Sequence, residues 1–156
     1  MESSNQLANR YKEVMLDGKW IANTNFKAQI ETVNWKQATT VIGGLNSIAA
    51  LTFHLNYYTA GILNVLKGGA LEIRDQFSYD LPPIQAANDW DKLRADCIHN
   101  AEQLVLHVSA FPDEKLDTPF VLAQYGNYRR NLEGVIEHCY YHLDQVVLLR
   151  KLIEQV

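Results

Sequence analysis

Three histidines in this 156-residue sequence have the spacing expected of metal ligands. His138 and His142 are four residues apart in a segment predicted to be helical, so both imidazoles lie on one helix face. His54 lies on the apolar face of another predicted helix, and two such faces can meet. Three neutral imidazoles can hold a divalent ion and leave a coordination position open for water or a substrate thiol. The sequence therefore predicts one metal site formed by His54, His138 and His142.

The alternative at each of these positions is a packed histidine that hydrogen-bonds to a neighbour. Three of the five histidines fall on the inward faces of two long predicted helices, which favours the metal site. The other two, His99 and His107, lie off that face, and we expect them to take no part.

The residues beside His138 argue against a metalloprotease. That motif requires a glutamate directly after the first histidine, and Cys139 occupies this position. Cys139 is turned away from the shared face and is not expected to be a ligand. Glu137 projects about 100° away from His138 on the helix, so we expect it at the surface or in support of the ligands. Peptide hydrolysis is therefore disfavoured.

Several residues could shape a pocket at this site. Gly134 lies one turn before His138 in a helix interior, where glycine costs about 1 kcal/mol relative to alanine. Either close packing against another helix or room for a substrate would compensate for this loss of helix stability, and both explanations stay open. Four tyrosines flank the histidines: Tyr57, Tyr58, Tyr140 and Tyr141. They could pack in the core, line a pocket or donate protons to a substrate. Tyr58 and Tyr141 are the candidate catalytic residues.

Apolar residues at spacings of three and four predict four main helices and an all-α fold. The expected bounds are Ser3 or Ser4 to Gly18, Asn46 or Ser47 to Gly68, Asn88 to just before Pro112, and Asn127 to Glu154. Asn88 and Asp91 resemble a capping box. Two short helices are expected between the first two, around Phe26–Val33 and Trp35–Thr39, with Asn25 and Asn34 as caps.

Length and composition predict a single globular domain over residues 1–156. Lys and Arg total 14 against 18 Asp and Glu, a net charge of -4, and the basic residues are scattered, so no nucleic-acid partner is expected. No apolar stretch reaches the roughly 20 residues that span a bilayer. The first residues lack the features of a secretory signal, so we expect a cytoplasmic protein with reduced thiols at Cys97 and Cys139.

Three segments resemble the DinB/YfiT-like superfamily of four-helix-bundle metalloproteins. Residues 46–54, NSIAALTFH, are similar to the family segment that ends in its first histidine ligand. Residues 138–145, HCYYHLDQ, are similar to the segment that holds the second and third ligands and then a glutamine. Residues 19–38 resemble the linker before the second long helix. Together these segments extend over most of the chain.

This resemblance implies a four-helix bundle of DinB/YfiT type with long crossover loops. It also implies that His54, His138 and His142 bind one divalent transition metal, nickel or zinc, and that the protein forms a homodimer. Characterised members of the family carry out transfer or isomerisation chemistry with a low-molecular-weight thiol such as bacillithiol or mycothiol. The partner implied for this chain is a small-molecule substrate.

Three functions remain open from the sequence. The first is a thiol-dependent S-transferase or isomerase acting on small electrophiles, and the second is a hydrolase that uses metal-activated water. The third is a non-catalytic protein that binds a metal or small ligand. An open coordination position beside a roomy pocket would favour the enzymes, whereas a fourth protein ligand would favour the third function.

Overall fold

The periodic apolar residues form six α-helices within residues 1–155, the part of the chain that this computed structural model describes. Their bounds are α1 Ser4–Lys12, α2 Phe26–Glu31, α3 Trp35–Thr39, α4 Ile48–Leu66, α5 Ala87–Ser109 and α6 Tyr128–Ile153. A π-helical turn, Glu13–Asp17, continues α1 as far as Gly18. No strand forms within residues 1–155, where one isolated β-bridge pairs Pro119 with Asn127. The all-α prediction is confirmed.

Side-chain caps determine where five of these helices begin. Each cap accepts a hydrogen bond from the backbone N–H three residues further on, at Ser3, Asn25, Asn34, Ser47 and Asn127. Such bonds satisfy N–H groups that have no partner inside the helix. These starts agree with the sequence prediction, and α2 ends two residues before its predicted end at Val33.

The start of α5 differs from the prediction. Asn88 lies inside the first turn and caps nothing, because the helix already begins at Ala87. Instead, the Asp89 carboxylate accepts hydrogen bonds of 2.9 and 3.0 Å from two backbone N–H groups that precede the helix. An acid in the first turn also interacts favourably with the helix dipole. Asp91 pairs with Arg94 at 2.7 Å and has no capping role.

The helices enclose a continuous apolar core. α4 contacts both α5 and α6, and α1 also contacts both. The largest fully buried apolar side chains include Leu7 and Tyr11 of α1, Phe26 and Ile30 of α2, Leu51 and Leu55 of α4, Trp90 and Leu104 of α5, and Ile136 of α6. Burial of apolar surface stabilises the fold by about 25 cal/mol per Å².

The core-facing stripe of α6 lies beside the histidine face and does not include it. The buried apolar residues of this stripe are Leu132, Ile136, Cys139, Leu143, Val146 and Leu149. Val135 and His138, on the face that the sequence predicts to point into the core, are only partly buried. His142 is buried at the boundary between the two faces. The candidate site therefore lies at the edge of the core.

Polar residues interrupt the apolar surface of α4, the most hydrophobic of the long helices. The buried Thr52 donates a 2.8 Å hydrogen bond to the carbonyl of Ile48, and the hydroxyl of Thr59 lies 2.9 Å from that of Tyr11. Within residues 1–155 we find no helix with the length and apolar character needed to cross a membrane.

Two long segments, residues 67–86 and 110–127, connect α4 to α5 and α5 to α6. Both contain short 3-10 turns. Hydrogen bonds attach the second segment to α1 and to α6. The Asp113 carboxylate accepts one of 2.7 Å from the backbone N–H of Ser4 in α1. Arg129 of α6 donates two, of 2.8 and 2.9 Å, to the Asp117 carboxylate.

Trp90 connects α5 to the end of α2 and should contribute strongly to stability. Its buried indole N–H donates a 2.7 Å hydrogen bond to the carbonyl of Val33. Trp90→Phe removes this donor and leaves a buried carbonyl without its partner, so we expect the free energy of unfolding to fall by about 1–3 kcal/mol. Trp20→Phe, at a residue that is 88% exposed, is the matched control and should change little. Urea unfolding of both variants checks this, and equal effects would contradict it.

Candidate metal centre

His54 of α4 and His138 and His142 of α6 meet where these two helices face each other. The Nε2 atom of His138 lies 3.0 Å from Nε2 of His54 and 2.8 Å from Nε2 of His142. His54 and His142 are 6% and 4% exposed, and His138 is partly buried. The structure thus brings together the three residues that the spacing selected.

Hydrogen bonds at the outer ring nitrogens orient two of the three imidazoles. Nδ1 of His54 lies 3.2 Å from the carbonyl oxygen of Ser78, and Nδ1 of His142 lies 2.7 Å from Oε1 of Gln145. Both oxygens are acceptors, so each Nδ1 carries the proton and each Nε2 keeps its lone pair. This arrangement of ligand and outer hydrogen-bond partner is usual for histidines that bind metals.

All three histidines are held in the neutral form. Burial is the main cause and lowers the pKa of His54 and of His142 below the ordinary value. Burial together with the neighbouring His142 and His54 lowers the pKa of His138 to about 4. A histidine must be deprotonated to bind a metal, so these shifts favour metal binding at neutral pH.

The donor set fits a divalent transition metal. The Nε2 lone pairs of His54 and His142 both point at Nε2 of His138. A neutral His138 has at most one N–H at this nitrogen, so it can donate a linear hydrogen bond to only one of the two neighbouring rings. A cation between the rings would satisfy all three lone pairs. Two nitrogens on one tetrahedral zinc ion are about 3.3 Å apart, close to the observed separations. Among residues 1–155 no fourth His, Cys, Asp or Glu joins the group.

The connecting segment 67–86 is held against α4 at several points beyond the histidines. The hydroxyl of Tyr57 accepts a 2.9 Å hydrogen bond from the Arg74 backbone N–H and donates one of 3.1 Å to the Arg74 carbonyl. Gly61 lets Ile73 approach the helix closely, because a Cβ at this position would collide with the Ile73 side chain. These contacts fix the part of the segment that reaches the site.

Residues of this segment complete the surroundings of His54. The ring of Tyr79 stacks on the His54 imidazole with 4.1 Å between centroids, and Ser78 supplies the carbonyl at Nδ1. The Asp75 carboxylate accepts a 2.8 Å hydrogen bond from Tyr58. No sequence pattern singles out Asp75, Ser78 and Tyr79, because they lie in an irregular segment without periodicity.

A cavity of about 650 Å³ opens beside His138. Tyr58 and Gly134 line it together with His138. A Cβ at Gly134 would meet only the Arg130 guanidinium, at 4.0 Å. Of the two explanations for this helical glycine, close helix packing is therefore wrong, and room above the histidines agrees with the structure.

Comparison with known families agrees with the residue-level resemblance. Residues 23–145 match a family model described as the DinB superfamily. The chain belongs to the DinB superfamily. The matched region includes His54, His138 and His142. Neither a curated protein nor a solved structure matches the chain.

The tyrosines of this DinB-superfamily protein differ in their relation to the site. Tyr58 lines the cavity, with its ring 5.3 Å from the His138 ring, and burial and its hydrogen bond to Asp75 raise its pKa. Tyr141 is 63% exposed and contacts His142 from outside the cavity. Tyr140 points away towards Glu13, 3.5 Å from its carboxylate.

The remaining polar neighbours lie outside the ligand group. Cys139 is buried in the core as a free thiol, and burial raises its pKa. Glu137 is exposed and pairs with Arg130 at 3.1 Å. His99 is exposed, and His107 lies 2.9 Å from the carbonyl of Gln103. These four positions agree with the sequence analysis.

Gln145 should strengthen metal binding through His142. Gln145→Leu removes the acceptor at Nδ1 of His142, and we expect metal affinity to fall by about 10–100-fold, the usual effect of losing such a partner. Gln145→Glu keeps an acceptor and should restore most of the affinity. Competition with a chromophoric chelator measures both variants, and an unchanged affinity in Gln145→Leu would contradict the role.

The metal-free protein should lose stability as the pH falls from about 6.5 towards 5. The pKa values of the three histidines are lower in the folded state, so the unfolded chain binds more protons in this range and unfolding becomes easier. Urea unfolding of chelator-treated protein at several pH values measures the slope. His138→Gln should flatten it, because the pKa of His138 is lowered to about 4 in the folded state. A slope that His138→Gln leaves unchanged would refute the assignment.

Proposed function

We propose that this protein binds one divalent transition metal ion, nickel or zinc, through His54, His138 and His142. The proposal rests on one observation, the convergence of three imidazole nitrogens: Nε2 of His138 lies 3.0 Å from Nε2 of His54 and 2.8 Å from Nε2 of His142. Imidazole suits ions of this type. Among residues 1–155, no fourth His, Cys, Asp or Glu joins the three histidines. Catalytic metal sites have the same arrangement, with three protein ligands and one open coordination position.

The reaction that we propose for this site is the transfer or isomerisation of a small electrophile by a low-molecular-weight thiol. A divalent ion would supply Lewis acidity there, lowering the pKa of a bound thiol or water. The cavity beside His138 is large enough for a small molecule, and Gly134 keeps it open next to the histidine. The family resemblance supports the choice of a thiol.

Tyr58 fits the role of proton donor better than Tyr141. Tyr58 lines the cavity, and its hydroxyl is oriented by the Asp75 carboxylate at 2.8 Å. Burial and the Asp75 carboxylate raise the pKa of Tyr58, so the phenol keeps its proton at neutral pH, and it could donate to a substrate atom only by exchanging its hydrogen bond to Asp75. Tyr141 lies outside the cavity and would act only through packing on His142.

Hydrolysis of a small molecule is a second candidate, supported by the Asp75 carboxylate. This group lines the same cavity as His138 and could accept a proton from an activated water. A non-catalytic role in binding a metal or small ligand is the third alternative, and it would give metal binding without turnover.

The proposal extends to the assembly and location of the protein. The contacts of α1 and α4 with both α5 and α6 support a four-helix bundle in which the segments 67–86 and 110–127 are the long crossovers. A homodimer follows from the family resemblance. Free buried thiols at Cys97 and Cys139 support a reducing, cytoplasmic environment.

His142→Ala tests the metal site directly. Two neutral imidazoles bind a metal weakly, so we expect the wild-type protein to carry about one ion per chain and the variant to lose it. The helical content should remain, since the apolar core stays intact, although loss of the ion lowers the melting temperature. His99→Ala and His107→Ala are the controls and should keep full metal content.

Elemental analysis and circular dichroism on the same samples decide the outcome. A folded His142→Ala protein with full metal content, or wild-type protein that takes up neither zinc nor nickel, would refute the three-histidine site. The activity is tested on the metal-loaded protein with bacillithiol or mycothiol and 1-chloro-2,4-dinitrobenzene. Turnover of 4-nitrophenyl acetate without a thiol would instead indicate the hydrolase.

A further inference from the structure

The cavity beside His138 has two arginines in its wall as well as the histidine. Arg74 comes from the segment 67–86, and Arg130 comes from α6. Most of the remaining surface is apolar, with Ile62, Leu71, Ile73, Phe120 and Val135 among the lining residues. A ligand in this cavity would therefore contact an apolar wall along its length and meet two cations.

Neither guanidinium forms a strong ion pair. Within residues 1–155 the Arg74 side chain forms no salt bridge, and its contacts with Tyr57 involve only its backbone. Arg130 pairs with both carboxylate oxygens of Glu137 at 3.1 Å, but the two side chains are 60% and 58% exposed. Exposed pairs of this kind contribute at most about 1 kcal/mol, so a ligand can replace Glu137.

The charges that line the cavity favour an anion. Asp75 is the one acidic residue among those that line it, and one of its two carboxylate oxygens, Oδ1, accepts the hydrogen bond from the Tyr58 hydroxyl. Two cations and one carboxylate thus line the cavity, and a second carboxylate, Glu137, pairs with Arg130 from outside the lining, in a chain whose overall net charge is -4. The Arg130 guanidinium already holds the Glu137 carboxylate through two nitrogens, which shows that its position suits a planar two-oxygen group.

We propose that Arg74 and Arg130 bind a carboxylate at the far end of the small molecule whose reactive end lies at His138. This inference rests on the proposed function and specifies its substrate class: an apolar molecule, or thiol cosubstrate, with a terminal carboxylate. The Arg130 guanidinium lies over Gly134, and Gly134 is one helical turn from His138, about 6 Å along the helix axis.

A matched pair of thiols tests the proposal on the metal-loaded protein: 6-mercaptohexanoate and 6-mercaptohexan-1-ol. They share the thiol and the chain length and differ in the charge of the far end. We expect the acid to bind about tenfold more tightly by isothermal titration calorimetry, the effect of a charge-assisted hydrogen bond. The difference should shrink at high salt.

Substitutions at the two arginines test whether they cause the tighter binding of the acid. Arg74→Gln and Arg130→Gln should each weaken binding of the acid and leave the affinity for the alcohol and the metal content unchanged. Glu137→Gln frees Arg130 and should tighten binding of the acid. Arg10→Gln is the matched control, because Arg10 also pairs with a surface glutamate, Glu2, but lies outside the cavity.

The outcomes separate this inference from the proposed function. Equal affinities for acid and alcohol in metal-loaded wild-type protein would overturn the carboxylate subsite alone, as would an acid preference that survives in the Arg74→Gln, Arg130→Gln double variant. Protein that takes up no metal and binds neither thiol would overturn the proposed function and this inference with it.

Discussion

The direction of the Nε2 lone pairs of His54 and His142 depends on the hydrogen bonds at the opposite side of these two rings. The Ser78 carbonyl and the Gln145 side chain each accept a proton from Nδ1 of a histidine, His54 and His142 respectively. If either ring rotated, its lone pair would leave the common point and its Nδ1 proton would lose a buried acceptor. The site therefore depends on one residue of α6 and on the segment 67–86, in addition to the ligands.

That dependence explains why the segment 67–86 is bound so tightly to α4. An irregular segment that supplies a carbonyl to a histidine must hold its backbone in place without the regular hydrogen bonds of a helix. Tyr57 does this through both backbone groups of Arg74, and Tyr58 through the side chain of Asp75. Two adjacent tyrosines thus serve different purposes: one fixes the segment, and the other also borders the cavity.

Much of the helical framework and the histidine group could be predicted from the sequence, because both follow from local rules. Caps such as Ser47 and Asn127, and the spacing of His138 and His142, involve residues a few positions apart. The contribution of Ser78 to His54 joins residues 24 positions apart, through a backbone carbonyl that any residue type could supply. No residue pattern encodes such a contact. The start of α5 was misassigned because Asn88 and Asp89 are both plausible capping residues, and only the backbone path selects Asp89.

Two glycines inside long helices illustrate how the chain gives up helix stability for the site. At each position glycine lowers helix stability by about 1 kcal/mol relative to alanine. At Gly61 the missing side chain admits Ile73, which brings the segment 67–86 onto α4, whereas at Gly134 it leaves open space beside His138. The first glycine is compensated by packing, since a buried aliphatic side chain takes the place of the Cβ. At the second, a Cβ would meet only the flexible Arg130 guanidinium, at 4.0 Å. The space at Gly134 joins the cavity beside His138, so this glycine gives up helix stability for open volume next to a candidate ligand residue.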